Sequence, residues 1–222
     1  MYIKSSENFN LRIKSSIAIL IITLIAIFSG GIIFSITFVG IGLLVFKEWL
    51  DMIRPLEEDQ TKYNKWLIFG LIYSVLPYSI AISLRFNSGA FALIMIFALV
   101  WSNDSFAYII GRKFGSVKIA PKISPNKTLE GSLGGLVSGL VVWCLLYFSQ
   151  NFPYSISLGN LVLIGVILSI SSQSGDLFQS WLKRKFNIKH SGSIIPGHGG
   201  FMDRFDSFAF VSLCVFILDI IL

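Results

Sequence analysis

The chain has 222 residues, of which 54% are apolar and only 14% are charged. Soluble domains are about 45–50% apolar and about 25% charged, so this composition speaks against an ordinary soluble protein and indicates a membrane protein. The net charge of +6 would suggest nucleic acid binding in a soluble protein. Here the basic residues lie between apolar runs, so they indicate membrane topology first, and we expect no nucleic-acid partner.

Seven apolar runs follow one another along the chain, and each is a candidate for a membrane-spanning helix. They lie at about 16–28, 31–46, 66–84, 89–110, 132–149, 158–173 and 207–222. The first two meet at Ser29-Gly30-Gly31 and could form one long helix. Two spans fit better, because glycine pairs break helices and one span of that length exceeds a hydrocarbon core of about 30 Å. The sequence predicts an all-α, polytopic membrane bundle with about seven spans.

The distribution of basic residues predicts the orientation of these spans. With the N-terminus in the cytoplasm, all of the 18 basic residues except Arg85 fall in inner segments. Such a bias favours a cytoplasmic N-terminus and an outer C-terminus. Linkers and internal repeats are not evident, so we expect a single membrane domain over 1–222. Cys144 and Cys214 lie in apolar runs, and we expect reduced, buried thiols.

The first polar interruption is Asp104, which lies late in an apolar run. A carboxylate at that depth costs a few kcal/mol unless it has a partner or a water-filled cavity. Two interpretations stay open. Asp104 either makes a structural hydrogen bond between helices or belongs to a functional site.

The second interruption is the segment from Lys122 to Gly131, which precedes a glycine-rich apolar run. Ser124, Asn126, Lys127 and Thr128 carry the donors that commonly surround phosphates, and a helix that starts after them would add backbone N–H groups. The alternative is an ordinary basic inner loop, with the following glycines serving close helix packing.

The third interruption is the richest and extends from Gln173 to Asp206. Asp203 and Asp206 are three residues apart, so both lie on one face if a helix starts near Asp203. Asp176 can join them if the sixth and seventh spans pack side by side. Three carboxylates without a cysteine cluster form a hard-oxygen site that suits Mg²⁺. The sequence therefore predicts Asp176, Asp203 and Asp206 as metal ligands.

Cations and glycines surround these acids. The cations are Lys183, Arg184, Lys189 and Arg204, and the glycines are Gly197, Gly199 and Gly200, with His198 between them. Cations together with a metal are what a polyphosphate requires, and glycines let the backbone approach a ligand closely. Each feature alone has an ordinary structural explanation. Their combination within so short a segment favours a phosphate-handling site.

The segment Ser180-x-Leu182-Lys183-Arg184-x4-Lys189-x2-Gly192-x2-Ile195-Pro196-x-His198-Gly199-Gly200-Phe201-x-Asp203-Arg204-Phe205-Asp206 resembles the signature of the phosphatidate cytidylyltransferases. The upstream motifs around Asp104, around Lys127 and at Gln173-x-Gly175-Asp176 are also similar to that family. The resemblance covers about 98–210, whereas 1–97 matches only in general character. One departure is His190, where the family usually has an aspartate.

The resemblance implies that CTP and phosphatidate react to give CDP-diacylglycerol and diphosphate. It implies Mg²⁺, with a monovalent cation such as K⁺ beside it, and an active site on the cytoplasmic face of a bacterial inner membrane. The implied catalytic residues are Asp176, Lys183, Asp203, Arg204 and Asp206. The implied substrate-binding residues are Asp104, Ser124, Asn126, Lys127, Thr128, Arg184, Lys189, His198, Gly199 and Gly200. Membrane lipids are expected partners, and a homodimer is left open.

Two other functions compete with this interpretation. A CTP-dependent polyprenol or lipid kinase would share the cations and acids but release CDP instead of diphosphate. A transporter of an anionic solute would use intramembrane acids such as Asp104 and Asp176. The crowding of polar groups on one side of the membrane argues against the transporter.

Overall fold

The structure is a computed structural model that describes residues 15, 17–149, 156–195 and 199–221. Helices dominate it, as the apolar runs predict. They are α1 (Ile17–Phe28), α2 (Gly31–Ile53), α3 (Gln60–Asn87), α4 (Gly89–Phe114), α5 (Leu129–Ser149), α6 (Leu158–Lys185) and α7 (Met202–Ile221), with a 3₁₀ turn at Arg54–Leu56.

Helices α2 to α6 are long and apolar enough to cross a membrane, whereas α1 is a shorter apolar helix. The chain is therefore an all-α integral membrane protein. The count of seven spans and the orientation of the termini stay predictions.

The break between the first two apolar runs lies where the glycines predict it. Helix α1 ends at Phe28 and α2 begins at Gly31. Gly30 between them has a φ of +100°, a left-handed conformation that L side chains rarely adopt. Two separate helices are confirmed in place of one long helix.

Several helices extend beyond their apolar runs. Helix α3 reaches Asn87, so only Ser88 separates it from α4, and the gap 85–88 between the third and fourth apolar runs is mostly helical. The Arg85 Nε donates a hydrogen bond to the Ile27 carbonyl at 3.1 Å, which gives this isolated cation a partner at the helix end. Helix α6 continues to Lys185, so one helix carries both Asp176 and Lys183.

Two short strands interrupt the helical pattern between α4 and α5. The strands β1 (Lys118–Ala120) and β2 (Ser124–Thr128) pair antiparallel, with Lys118 opposite Thr128 and Ala120 opposite Ser124. The polar segment predicted as a loop is thus a hairpin. This hairpin gives Lys127 and its neighbours a fixed register just before α5 begins.

The chain divides into two compact units. The first unit contains the described residues of 1–90 and 183–205, and the second contains those of 91–182 and 206–222. The single domain expected over 1–222 stays a prediction. Each unit has its own apolar core and its own part of the predicted site.

Aromatic side chains fill the first unit. Phe34 and Phe38 stack in α2 with ring centroids 4.0 Å apart, and Phe38 meets the edge of Phe205. The buried Trp49 donates from Nε1 to the Trp66 carbonyl at 2.9 Å, so its polar atom is satisfied inside an apolar packing.

Glycines allow close helix contact in the second unit. Gly131, Gly135 and Gly139 are spaced four residues apart on α5, and a Cβ at any of them would meet atoms of α4 or α6 at 2.9 Å or less. Small residues at this spacing let backbones approach closely within a membrane. The packing interpretation of the glycine-rich run is confirmed.

Candidate functional site

A cleft of about 590 Å³ lies in the second unit, beside the hairpin and the start of α5. Ligand-binding cavities typically measure about 300–1,000 Å³, so a nucleotide can be accommodated. Six of the residues predicted from the sequence line it, namely Asp104, Ser124, Asn126, Lys127, Thr128 and Asp176. The structure thus brings two of the three polar interruptions, and the start of the third, into one cavity.

An ion pair joins the hairpin to α6 at this cleft. The Lys127 Nζ lies 2.7 Å from the Asp176 Oδ2, and the two side chains are 24% and 39% exposed. The same Nζ is 3.5 Å from the Gln173 carbonyl. A half-exposed pair is weakly held, because water competes with both partners. Lys127 can therefore exchange its carboxylate partner for an incoming phosphate.

A buried hydrogen-bond network lies behind the ion pair. The Asn103 Nδ2 donates to the Ser169 carbonyl at 2.8 Å, and its Oδ1 accepts from the Gln173 Nε2 at 2.9 Å. Gln173 also donates to the Ser132 carbonyl and accepts from the Ser132 hydroxyl. These bonds connect α4, α5 and α6. Asn103, the neighbour of Asp104, thus makes interhelical hydrogen bonds, while the exposed Asp104 lines the cleft. Both interpretations of Asp104 stay open.

The start of α5 is fixed from two sides. The Thr128 hydroxyl accepts from the Gly131 N–H at 3.2 Å, as a residue that caps a helix start does. The Glu130 carboxylate accepts from the N–H groups of Ser116 and Val117. These bonds hold the hairpin and the first turn of α5 in one arrangement.

Two further cations line the cleft that the sequence had not placed in the site. Arg112 lies on the last turn of α4 and Lys118 on β1. Arg112 follows the predicted Asp104 on the same helix, and this proximity was its only signal. With Lys127 they make three cations around one cavity, an arrangement that attracts a polyphosphate.

The predicted side-by-side packing of the sixth and seventh apolar segments is confirmed at one point. A Cβ on Gly175 would lie 2.6 Å from the Asp206 carbonyl, so only glycine permits this approach. Asp206 lies on the neighbouring helix α7 and is 8% exposed. Asp176 and Asp206 therefore lie on adjacent segments of α6 and α7.

Residues of the signature segment form a cluster within the first unit. The Lys183 Nζ lies 2.6 Å from the Asp203 Oδ1, with the two side chains 17% and 4% exposed. The Asp203 Oδ2 accepts from the N–H groups of Ser191 at 3.0 Å and Gly200 at 3.4 Å. Asp203 lies in the first turn of α7, before the apolar part of that helix. Burial alone would raise the pKa of its carboxyl group. The hydrogen bond and charge of Lys183 outweigh it and lower this pKa below its ordinary value.

Glu48 also belongs to this cluster, and it was not among the residues predicted from the sequence. It lies on α2 and is 1% exposed. Its carboxylate accepts from the N–H groups of Phe201 at 2.8 Å and Met202 at 3.0 Å, and from the Ser191 hydroxyl at 3.0 Å. Glu48 follows the apolar run 31–46 directly, next to Lys47 and close to Asp51, where charged residues are ordinary, so its sequence position did not single it out.

The other predicted residues of the signature differ in exposure and coverage. Arg184, Lys189 and Arg204 are exposed, and Gly197 and His198 lie outside the described residues. Gly199 has a φ of +92°, which favours glycine for conformational reasons. The space beside Gly200 is occupied by the Glu48 carboxylate. Direct approach of these glycines to a ligand stays a prediction.

The oxygen-rich cleft fits Mg²⁺ in its donor chemistry. Asp104 and Asp176 line the same cavity with the hydroxyls of Ser124 and Ser132. Mg²⁺ commonly uses one or two carboxylates together with water and substrate phosphates. Within the described residues, no group of three His, Cys, Asp or Glu side chains is placed to hold a metal. The ligand set of Asp176, Asp203 and Asp206 therefore stays a prediction.

Comparison with known proteins identifies the family. Residues 56–221 match the model described as "Cytidylyltransferase family". A phosphatidate cytidylyltransferase of Rickettsia prowazekii (strain Madrid E) is 39% identical over 99% of this chain and 95% of its own length. That of Rickettsia felis is 40% identical over 98% of this chain and 95% of its own length. That of Bacillus subtilis (strain 168) is 42% identical over 66% of this chain and 54% of its own length.

These matches confirm the resemblance read from the signature segment and cover the upstream motifs as well. They extend through both units, since the Rickettsia proteins align over almost the whole chain. The chain therefore belongs to the cytidylyltransferase family and is a nucleotidyltransferase.

Proposed function

We propose that this protein is a phosphatidate cytidylyltransferase, which converts CTP and phosphatidate into CDP-diacylglycerol and diphosphate. The observation that carries the proposal is the cleft with the half-exposed Lys127–Asp176 pair. Two relatives that align over nearly the whole chain carry the same enzyme name. The cleft offers the cations that such a reaction needs.

The reaction joins two anions, and this determines what the protein must supply. A phosphatidate oxygen attacks the α-phosphorus of CTP, a new P–O bond forms, and the bond to the diphosphate leaving group breaks. The second pKa of a phosphate monoester is about 6, so the nucleophile is already anionic near neutral pH. A strong general base is not required. Charge neutralisation and positioning supply most of the acceleration.

Three cations of the cleft suit the phosphates of CTP. Lys127 leaves Asp176 and binds a phosphate oxygen, while Arg112 and Lys118 bind oxygens of the triphosphate. The Arg112 Nη1 donates to the Tyr108 hydroxyl at 3.2 Å, which keeps the guanidinium on one side of α4. Ser124, Asn126 and Thr128 add neutral donors.

Mg²⁺ is the cofactor that the cleft suits best, with Asp104 and Asp176 as its protein ligands. When bound, it would neutralise charge on the phosphates and on the diphosphate that leaves. Asp206 lies on the segment beside Asp176 and is a further candidate ligand, and Asp203 stays a candidate from the sequence. A monovalent cation such as K⁺ beside Mg²⁺ is proposed on the family resemblance alone.

The signature cluster contributes to the same reaction in this proposal. The exposed Arg184, Lys189 and Arg204 offer donors for the phosphate of the lipid, and Lys183 is held by Asp203. The acyl chains of phosphatidate can stay in the bilayer while its head group reaches these cations. The basic residues of the hairpin and of the signature both fall in predicted inner segments, which favours a cytoplasmic active site.

Labelled CTP tests the proposed function directly. The protein is purified in detergent and incubated with phosphatidate, Mg²⁺ and CTP labelled at either the α- or the γ-phosphorus. We expect α-label in a CDP-lipid and γ-label in diphosphate. Transfer of γ-label to a lipid, with release of CDP, would identify a lipid kinase instead. A folded protein that transfers neither label would overturn the proposal.

A further inference from the structure

Glu48 is a buried carboxylate that the proposed chemistry does not use. It lies on α2, far from the signature in sequence, and only 1% of its surface is exposed. A buried charge costs several kcal/mol unless hydrogen bonds or an opposite charge compensate it. Among the described residues, no ion pair involves Glu48. Its neutral hydrogen-bond donors must therefore account for its position.

These donors are located where a helix most needs an acceptor. The N–H groups of Phe201 and Met202 lie at the start of α7, where backbone donors have no partner within the helix. A negative charge at this end is also favoured by the helix dipole. A residue next to the helix start usually supplies the acceptor. Here Glu48 supplies it from 153 residues earlier in the chain.

Two glycines of the signature leave room for this carboxylate. A Cβ on Gly192 would lie 2.7 Å from the Glu48 Oε1, and a Cβ on Gly200 would collide with the Glu48 Oε2 and the Ser191 Oγ. Gly200 does not have a positive φ, so space rather than backbone conformation requires glycine there. The signature and Glu48 fit each other sterically.

The same residues also hold Asp203. Ser191 donates its hydroxyl to Glu48 and its N–H to Asp203, and the N–H of Gly200 also points to Asp203. Both carboxylates therefore bind Ser191, and Asp203 also binds the N–H of Gly200 and the side chain of Lys183. We propose that Glu48 is a positioning residue that fixes the start of α7 and, through it, the Asp203–Lys183 pair.

The first test measures steady-state kinetics of Glu48→Gln. The amide keeps the size of the side chain but offers one acceptor oxygen where the carboxylate offers two, so Met202 or Phe201 loses its partner. We expect kcat to fall by about tenfold while KM for CTP changes by less than about twofold, because the proposed CTP cations lie in the other unit. Asp51→Asn is the matched control, an exposed acid on the same helix, and should leave both constants unchanged.

This kinetic effect rests on the proposed function, so a second measurement is independent of activity. Hydrogen exchange followed by mass spectrometry reports the backbone N–H groups of Phe201 and Met202. We expect Glu48→Gln to speed exchange in a peptide over 199–205 by about tenfold or more. A peptide over 129–149 should be unaffected. If the enzyme assay fails for the wild type as well, this exchange result still supports or overturns the role of Glu48.

A milder variant covers the case in which Glu48→Gln does not fold. Ser191→Ala removes one of the donors to Glu48 and keeps the N–H that binds Asp203. We expect a smaller decrease in kcat and faster exchange over 199–205. In the double variant the two effects on kcat should be less than multiplicative, because both changes act on one cluster. Unchanged exchange in each foldable variant, or fully multiplicative effects on kcat, would overturn the proposal.

Discussion

Two lysine–aspartate pairs of nearly equal length differ in their surroundings. Lys127 and Asp176 are 2.7 Å apart at the cleft, with side chains 24% and 39% exposed. Lys183 and Asp203 are 2.6 Å apart in the signature cluster, with side chains 17% and 4% exposed. Distance alone would assign both pairs the same role. Exposure separates them, because water screens the first pair and is largely excluded from the second.

The difference has an energetic consequence. An exposed ion pair contributes about 0–1 kcal/mol to stability, so its partners can separate when a substrate arrives. Removal of one partner from a buried pair costs about 3–5 kcal/mol, because the other charge stays buried without compensation. Asp203 also accepts hydrogen bonds from the N–H groups of Ser191 and Gly200, so it holds two backbone positions as well as a lysine. The cleft pair is therefore suited to binding and the signature pair to positioning.

The largest effect on activity is expected at the cleft pair. Lys127→Ala should lower kcat/KM for CTP by about 100-fold, because it removes a cation from the reacting phosphates. Stability should change by less than about 0.5 kcal/mol, since the pair is half-exposed. Label transfer and thermal unfolding in detergent measure the two quantities.

Lys122→Ala is the matched control for Lys127→Ala. Lys122 is an exposed lysine between the two strands of the same hairpin, and it is absent from the described residues that line the cleft. It should keep nearly full activity. If both variants lost activity equally, the effect would come from the hairpin as a whole and not from the cation at Lys127.

The largest effect on stability is expected at the buried pair. Asp203→Asn leaves Lys183 without its counter-charge and weakens two backbone hydrogen bonds, so it should cost about 3 kcal/mol. For a chain of this length that corresponds to a fall in Tm of about 6–12 °C. Activity should also fall, because Ser191, Gly200 and Lys183 lose the group that fixes their positions.

The same substitution at the more exposed Lys127–Asp176 pair sharpens this prediction. Asp176→Asn should lower activity strongly and Tm by less than about 2 °C. Equal decreases in Tm for Asp176→Asn and Asp203→Asn would show that burial does not distinguish the two pairs.

Most of the cleft could be predicted from the sequence, because its residues are close together in the chain or stand out from apolar surroundings. Lys127 and its polar neighbours precede a helix start, and Asp176 follows closely on the apolar run 158–173. The helix break at Gly30 and the start of α7 at Met202 were equally readable. The hairpin was not, because strands of three and five residues with mostly polar side chains show no alternating pattern.

The signature cluster could be predicted only in part from the sequence. Lys183 and Asp203 belong to a dense motif, but their pairing and their burial depend on packing that the motif does not encode. Glu48 reaches the start of α7 from 153 residues away, and no local period signals such a contact. The sequence predicted Gly200 as a place where a ligand approaches the backbone, whereas the space beside it is occupied by the Glu48 carboxylate. Side chains that act over long sequence separations are the ones that a single sequence hides.

A smaller effect is expected at a second cation of the cleft. Arg112→Gln should raise KM for CTP by about five- to tenfold, equivalent to about 1–1.4 kcal/mol of lost phosphate binding, with kcat changed less. Steady-state kinetics with varied CTP measures this. Tm should stay unchanged, because Arg112 is exposed near the end of α4. A large loss of kcat with unchanged KM would mean that Arg112 acts on the reacting atoms instead of on CTP binding.

The smallest effect is expected at His190, where the family resemblance expects an aspartate. The His190 Nδ1 lies 4.0 Å from the Asp203 Oδ2, and the histidine side chain is 52% exposed. His190→Asp would place a second carboxylate beside Asp203, and like charges about 4 Å apart repel by about 1 kcal/mol in water. We therefore expect activity to fall by less than about threefold and Tm by a few degrees. His190→Asn, which removes the ring without adding charge, should lie closer to the wild type in both measurements. A gain in activity with His190→Asp would contradict this expectation. It would mean that Asp203 is held less well in this chain than in its relatives.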